Sequence, residues 1–340
     1  MAVVKADAYG HGMLECAKTA IEAGGEYLAV ARIDEALELR DAAINHPLLV
    51  FELVRDDLLE AAITQNIELT LSSQDGARDL NAAAERLRRR AKVHIKVDTG
   101  MGRLGLGFQH AGSQIEKISR LSWLDVVGGY SHFATSDEVD QTFAREQLAR
   151  FNVVLAELKR RGVEIPLVHM ANSGAIMSLP ESHFNMVRPG IMLYGYPPRR
   201  GMDHEHPLEP VLSFVSAVTF MKNVEPKMSI SYGRRYHTRE KTSIATIPVG
   251  YRDGYSRLLT GKVEALIGGK RYPVVGTICM DHLMVDVGTH SNVHEGDTVT
   301  LIGSDGNESI TAWDIGEKLG TIPYEVTCMI GQRVSRDFQK

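Results

Sequence analysis

Val93-His94-Ile95-Lys96-Val97-Asp98, running into Thr99-Gly100-Met101-Gly102-Arg103, is the stretch on which the fold turns. Val93, Ile95 and Val97 fall on one face of a strand, and His94 and Lys96 fall on the other. The aliphatic face suits packing on helices, which turns Lys96 inward toward the level of Arg103. A barrel-interior ion pair with Asp98 is the plain alternative for that lysine. Working outward, short apolar runs lie at Ala2–Lys5, Tyr27–Ala31, Leu48–Phe51 and Ile67–Leu71 upstream, and at Asp125–Ser131, Leu167–Met170 and Asn185–Arg188 downstream. The segments between them carry helical spacing. Ala144, Leu148, Phe151, Leu155 and Leu158 line one face of a helix expected over Val139–Arg161, with Gly162 as its stop. Asp34 opens another helix carrying Ala36, Leu37, Leu39 and Ala43. Eight alternating β and α units within about 190 residues predict an α/β fold: a closed (β/α)8 TIM-type barrel, in preference to a doubly wound open sheet.

The pattern changes after Pro197. The stretch Pro197–Pro207 is rich in Pro, Arg and His and is expected to be a linker. Beyond it come short β-branched runs at Leu212–Phe220, Thr242–Ile247, Val263–Ile267, Tyr272–Val275, Met284–Val287 and Thr298–Ile302, with Gly268-Gly269 and Asp305-Gly306 as turn signals. Only Ile310–Leu319 has helical spacing there. The expected division is a barrel over 1–200 and a mostly antiparallel β domain over 201–340.

Composition agrees with two globular domains. The 340 residues are 44% hydrophobic and 24% charged, with a formal net charge of -5. The one dense basic patch, Arg86 and Arg88 to Arg90 with Lys92, suits the solvated end of a helix rather than a nucleic-acid footprint. Three separated cysteines, Cys16, Cys279 and Cys328, suit a reducing cytoplasm. Lys5 and Asp7 interrupt the N-terminus before a secretory leader can form. No run reaches the roughly 20 apolar residues of a membrane span, and no metal site is expected.

Barrel enzymes place their chemistry at the C-terminal ends of the strands. Those ends here carry Lys5, the Asp98–Arg103 loop, Ser131-His132-Phe133, His169-Met170-Ala171-Asn172-Ser173 and Arg188-Pro189-Gly190. A mouth with several cations and few acids calls for an anionic ligand. An inward lysine such as Lys5 is costly unless paired or neutralised. A Schiff base with an aldehyde cofactor neutralises it, and an ion pair at the strand end is the plain alternative. Gly190 and Ile191 after the eighth strand, with Asn172-Ser173-Gly174 after the seventh, offer amides and a hydroxyl to a phosphate. In the second domain, Ser231-Tyr232-Gly233 and Gly276-Thr277-Ile278-Cys279-Met280-Asp281 are dense motifs. A Tyr beside Gly is usually a turn anchor, and Cys279 suits a buried structural thiol.

Together these motifs resemble the alanine racemases. Residues 2–12 (AVVKADAYGHG) look like that family's pyridoxal-lysine motif. KVDTGMGRLG (96–105), HMANSG (169–174), VRPGIMLYG (187–195), SYGRRY (231–236), IPVGYRDGY (247–255), GTICMD (276–281) and PYE (323–325) match further blocks, in order along the whole chain. The resemblance implies a pyridoxal 5'-phosphate enzyme that interconverts L- and D-alanine for peptidoglycan. Lys5 would carry the cofactor aldehyde and act as one acid/base group, and Tyr232 of the partner chain as the other. Tyr9, Ser173, Gly190, Ile191 and Tyr324 would hold the phosphate, with Asn172 also at the cofactor. Arg188 would meet the pyridine nitrogen, and His132 would bridge Arg188 and Tyr232. Arg103 would touch the cofactor and the substrate carboxylate, Met280 and Asp281 would bind substrate, and Tyr251 would line the entrance. Lys96 would be carbamylated. The resemblance therefore implies a homodimer with shared sites. Family members carry a further strand and helix ahead of the lysine motif, so lower stability or solubility is expected of a chain starting at Met1. A racemase of another small amino acid such as serine, a pyridoxal-dependent decarboxylase and a non-catalytic pyridoxal carrier are the rivals. A decarboxylase is expected to pair the ring nitrogen with a carboxylate, where this chain has Arg188.

Overall fold

The computed structural model describes residues 1–202 and 207–339, so 203–206 of the expected linker lie outside the described residues. The chain divides into two compact units, Met1–Ala8 with Gly12–Leu208, and Tyr9–His11 with Glu209–Lys340. Among the described residues no helix is long and apolar enough to cross a membrane.

The first unit is the expected curled parallel sheet with intervening helices. Its strands run in chain order: Ala2–Val3, Leu28–Val30, Leu48–Val50, Glu68–Leu71, Ala91–Asp98, Leu124–Tyr130 and Leu167–His169. An eighth, short member, Leu106–Gly107, pairs beside the end of Ala91–Asp98. The run expected as a strand over Asn185–Arg188 pairs regularly at one residue only, Met186 against His169. Two features explain this. Asn185 turns its side chain onto the backbone, accepting from Val168 N–H at 2.7 Å and donating to Pro166 O at 2.7 Å. Pro189 then ends the ladder because it has no N–H. The segment still closes the sheet: Val3 N–H donates to Pro189 O at 3.1 Å, and the Met1 ammonium donates to Val187 O at 3.0 Å.

The helix expected over Val139–Arg161 spans Thr142–Arg160 and buries Ala144, Leu148, Phe151 and Leu158 as expected, with Gln147 and Val154 added and Leu155 only partly buried. It starts late because Asp140 Oδ1 accepts from Thr142 N–H at 2.9 Å, while Val139 is 81% exposed and has nothing to pack on. The helix near Asp34 spans Ile33–Asp41.

The second unit is the antiparallel sheet. Its strand order is Phe220–Val224, Thr242–Ile247, Leu283–Asp286, Lys270–Val275, Glu264–Ile267, Thr298–Asp305 and Glu308–Ile310, and Phe214–Ala217 also pairs with Thr298–Asp305. The run expected as one strand over Leu212–Phe220 is therefore two, because Ala217 pairs with Thr298 and Phe220 with Thr246. Gly268 and Gly269, with φ of 60° and 73°, make the tight hairpin turn between Ile267 and Lys270. Val224, Ile244 and Val275 form a core cluster with Ile230, Tyr236 and Met284 packed on it. The expected helix spans Ala312–Leu319, capped by Thr311 and Asp314. A second helix, Pro323–Cys328, was not expected; six residues are too few to show a 3.6-residue period.

Candidate active site

The first strand stops at Val3, short of the expected Lys5, and the chain then turns with the unusual hand. Ala6, Asp7, Ala8 and Tyr9 have φ of 53°, 53°, 52° and 56°, a left-handed run that costs roughly 1–2 kcal/mol per L-residue. Neighbours hold it in place. Ala6 N–H donates to Glu35 Oε1 at 2.5 Å, and Asp7 Oδ1 accepts from Met13 N–H at 2.8 Å. Glu35 is itself fixed by the Ala31 and Arg32 amides at 2.9 and 3.0 Å. Lys5 opens this turn, so its backbone is over-determined where the side chain leaves.

Across the barrel interior, Lys96 is buried with its Nζ 4.7 Å from the centre of the Tyr130 ring. The alternative ion pair with Asp98 is not formed. Asp98 instead accepts from the Gly100 and Gly102 amides at 2.9 and 3.1 Å and shapes the loop that carries Arg103. Burial, then the charges of Arg188 and Arg103, push the Lys96 pKa far down. Arg188 is 3% exposed. Its Nη1 donates to His169 Nδ1 at 2.8 Å, and its Nη2 to Ser131 O at 2.8 Å, Met170 O at 3.0 Å and His132 Nδ1 at 3.2 Å. Burial, then Arg188, Lys96, Arg103 and Lys5 in that order, hold the His132 imidazole well below its ordinary value. Three basic side chains, Arg188, Arg103 and Lys5, and the buried amine of Lys96 thus share one neighbourhood around a neutral histidine. That arrangement is relieved by an anion.

The elements expected to meet an anion lie at the last two positions around the barrel. Ser173, buried, starts the helix Ser173–Ser178, and its Oγ accepts from Gly190 N–H at 2.9 Å and Met192 N–H at 3.4 Å. The two loops therefore meet on one hydroxyl, and Ile191 opens the one-turn 3-10 helix Ile191–Tyr194 directly after Gly190. Asn172 has a local duty as well: its Oδ1 accepts from Ala175 N–H at 3.0 Å and Ser136 Oγ at 2.7 Å.

The second unit brings the remaining residues into two groups. Tyr9 and Tyr324 face each other with ring centres 5.9 Å apart, and burial raises the Tyr9 pKa. In the other group, Thr277 Oγ1 donates to Tyr232 O at 2.8 Å, and Ser231 Oγ donates to Thr277 O at 2.6 Å. Tyr251 and Arg252 amides donate to Cys279 O and Met280 O at 3.0 and 3.1 Å. A Cβ on Gly250 would come within 2.2 Å of Met280 O, which is why this approach requires glycine. The loops of Tyr232, Tyr251 and Met280-Asp281 are thus one assembly. Tyr232 is 72% exposed and Met280 50% exposed. Cys279 is half-buried rather than buried, with Sγ 3.4 Å from Ser231 Oγ.

The family profile described as alanine racemase, N-terminal domain, matches residues 1–198, and that described as alanine racemase, C-terminal domain, matches 211–338. The chain belongs to the alanine racemase family. It is 46% identical over 338 residues to an alanine racemase of Methanococcus maripaludis, covering 99% of this chain and 90% of that one. A solved alanine racemase of Clostridium difficile is 40% identical with a TM-score of 0.94, covering 98% of this chain and 87% of that one. A histidine racemase of Leuconostoc mesenteroides is 30% identical with a TM-score of 0.90, covering 97% and 88%. The chain is accordingly an isomerase of the amino-acid racemase class.

Alanine racemase motifs do not account for two clusters that sequence reasoning missed. One is Glu68, Thr70 and Tyr130 around His94 and His169 in the barrel interior. Its signal was available, since Glu68 and Thr70 alternate with Ile67, Leu69 and Leu71. The other is Arg333, which bonds Asp253 at 2.6 and 2.9 Å and Asp281 at 2.8 Å. Nothing local in the sequence marks it.

Proposed function

We propose that the chain interconverts L- and D-alanine with pyridoxal 5'-phosphate in the barrel mouth, as half of a cytoplasmic homodimer supplying D-alanine for peptidoglycan. The barrel, taken as 1–200, holds the cofactor. The β domain, 201–340, completes the partner's site. The observation that carries this reading is the buried Arg188, bonded to His132 Nδ1 at 3.2 Å, in the same mouth as the Ser173 hydroxyl on which the Gly190 and Met192 amides converge. The donor set fits the group: an amine at Lys5 for an aldehyde, the Ser173 hydroxyl with the Gly190 and Ile191 turn for a phosphate, and Arg188 for a ring nitrogen. Tyr9 and Tyr324, whose rings meet, add hydroxyls for the phosphate, and Asn172 supports the same loop. When bound, pyridoxal phosphate supplies the electron withdrawal that acidifies the Cα–H of the amino acid.

Lys5 Nζ takes or returns the proton on one face, and the partner subunit's Tyr232 hydroxyl serves the other. Two groups on opposite faces are what inversion of a stereocentre requires. Tyr232 at 72% exposure on its own unit is suited to entering a second chain. Arg103 neutralises the substrate carboxylate, the partner subunit's Met280 and Asp281 bind it from the other side, and the partner subunit's Tyr251 lines the entrance. His132 accepts from Arg188 at Nδ1, so its proton sits on Nε2, the donor we assign to the phenolic oxygen. Burial lowers Arg188 to about 10. It therefore stays cationic at neutral pH and donates hydrogen bonds without giving up a proton. The lowered Lys96 pKa populates the free amine. That amine adds to carbon dioxide with loss of a proton, and the resulting carbamate would set a negative charge against Arg103.

Chiral analysis of L-alanine incubated with the chain and pyridoxal 5'-phosphate tests the reading, with Lys5→Ala as control. D-alanine from the wild type alone is expected. The likeness to a histidine racemase makes L-histidine the second substrate to assay, and L-serine the third. Inversion of either with none of alanine would overturn the substrate assignment.

A further inference from the structure

The barrel interior of the first unit contains a buried chain of polar groups that reaches beyond the residues given roles above. Arg188 Nη1 meets His169 Nδ1 at 2.8 Å, His169 Nε2 meets His94 Nδ1 at 2.9 Å, and His94 Nε2 meets Glu68 Oε2 at 2.8 Å. Glu68, His94, His169 and Arg188 are 3%, 0%, 0% and 3% exposed, so each contact is made without competing solvent.

The direction of every hydrogen bond in this chain follows from donor counting. A guanidinium has only donors, so His169 Nδ1 must accept. The neutral His169 ring then carries its one proton on Nε2, and burial followed by the Arg188 charge keeps it neutral. His94 Nδ1 must accept the hydrogen bond from that N–H, which leaves His94 with its own proton on Nε2, donating to Glu68. Reverse either ring and two N–H groups, or two lone pairs, face each other. Glu68 is the acceptor at which the chain ends.

The rings have no freedom to flip out of this arrangement. A Cβ on Gly128 would stand 2.0 Å from His94 Nδ1, so the ring occupies the space a side chain would need. His169 stacks on Tyr130 with ring centres 4.8 Å apart and planes 5° from parallel. Thr70 Oγ1 donates to Val50 O at 2.7 Å, so the Tyr130 hydroxyl donates to Thr70 at 2.8 Å and is locked in turn. Tyr27 holds the second Glu68 oxygen at 3.2 Å.

We propose that Glu68 is a positioning residue for Arg188: as the terminal acceptor it fixes both imidazoles so that His169 presents a lone pair, not an N–H, to the guanidinium. Arg188 is thereby aimed from behind, in a direction set one carboxylate and two rings away. The consequence for the pyridine ring of the cofactor rests on the cofactor reading above; the proton positions do not.

Nitrogen-15 NMR of histidine-labelled chain without added cofactor should place the protons of His94 and His169 on Nε2 in both rings. A proton on Nδ1 of His169 overturns the proposal with no variant needed. Glu68→Met removes the acceptor at similar volume, whereas Glu68→Gln keeps a carbonyl for His94. The Met chain should show mixed tautomers at both rings and at least tenfold weaker pyridoxal 5'-phosphate binding, and the Gln chain should recover both. Unchanged tautomers and affinity in the Met chain, or a Gln chain no better than Met, would sink the assignment. A wild type that binds no pyridoxal phosphate defeats the cofactor reading instead, and the tautomers still decide this one.

Discussion

At the scale of single residues, the barrel interior is governed by close approach rather than by apolar filling. Gly128 shows it most directly. Gly128→Ala would place a methyl 2.0 Å from His94 Nδ1, and His94 cannot retreat without losing His169 or Glu68. Overpacking of this kind costs typically about 1–3 kcal/mol, occasionally more. We expect Gly128→Ala to lower the unfolding free energy by about 1–3 kcal/mol or more, read as a lower urea midpoint at unchanged slope. A midpoint within experimental error of wild type would mean that the ring has room to move. His94 and Lys96 were both placed on the inner face by simple alternation. The partners of His94 were not legible, because Glu68 and His169 are 26 and 75 residues away and pattern reasoning sees only neighbours.

At the scale of elements, periodicity located seven strands of the barrel sheet, missed the two-residue Leu106–Gly107, and expected a strand over Asn185–Arg188 that makes only one bridge. Asn185–Arg188 has a strand's composition, yet its Asn side chain and the following proline replace the ladder. The sequence likewise separated three motifs that the second unit joins. Thr277 ties in the Tyr232 motif, and Arg333 joins the other two: it grips Asp253 in the Tyr251 loop and Asp281 beside Met280. Burial alone would raise the Asp253 pKa, but the Arg333 hydrogen bonds, the Gly250 amide and the nearby arginines outweigh it and hold the carboxyl below its ordinary value. Arg333→Met should therefore loosen the two loops together. The KM for alanine is expected to rise several-fold, with kcat changed less, because these are the two loops we assign to substrate binding and not to proton transfer. An unchanged KM would show that Arg333 only braces the fold.

At the scale of the whole molecule, two neutral imidazoles tie stability to pH. His132 and His169 are held well below their ordinary values, by burial first and the Arg188 charge second. Below about pH 6.5 the unfolded chain binds protons that the folded chain refuses. Stability is thus full above that pH and falls as the pH drops toward the lowered folded values. The slope approaches about 1.4 kcal/mol per pH unit for each imidazole. Urea titrations of the cofactor-free chain between pH 5 and 7.5 should show this decline, and a flat profile would contradict neutral histidines. The proposed dimer makes a second prediction. Lys5→Ala and Tyr232→Phe chains, each inactive, should regain activity when mixed under conditions of subunit exchange, since one site per mixed dimer has both groups. No recovery would place Lys5 and Tyr232 of a single chain in one site.

The turn that follows Lys5 has a stereochemical consequence. From Ala6 to Tyr9 the backbone lies where residues of the opposite configuration are at ease. Ala6 is exposed there, so its methyl can be inverted without disturbing a packed surface. A semisynthetic chain with D-alanine in place of Ala6 should be more stable than the natural one by about 1–2 kcal/mol. In such a chain the enantiomer we assign as product would also relax the backbone beside the lysine we assign to make it.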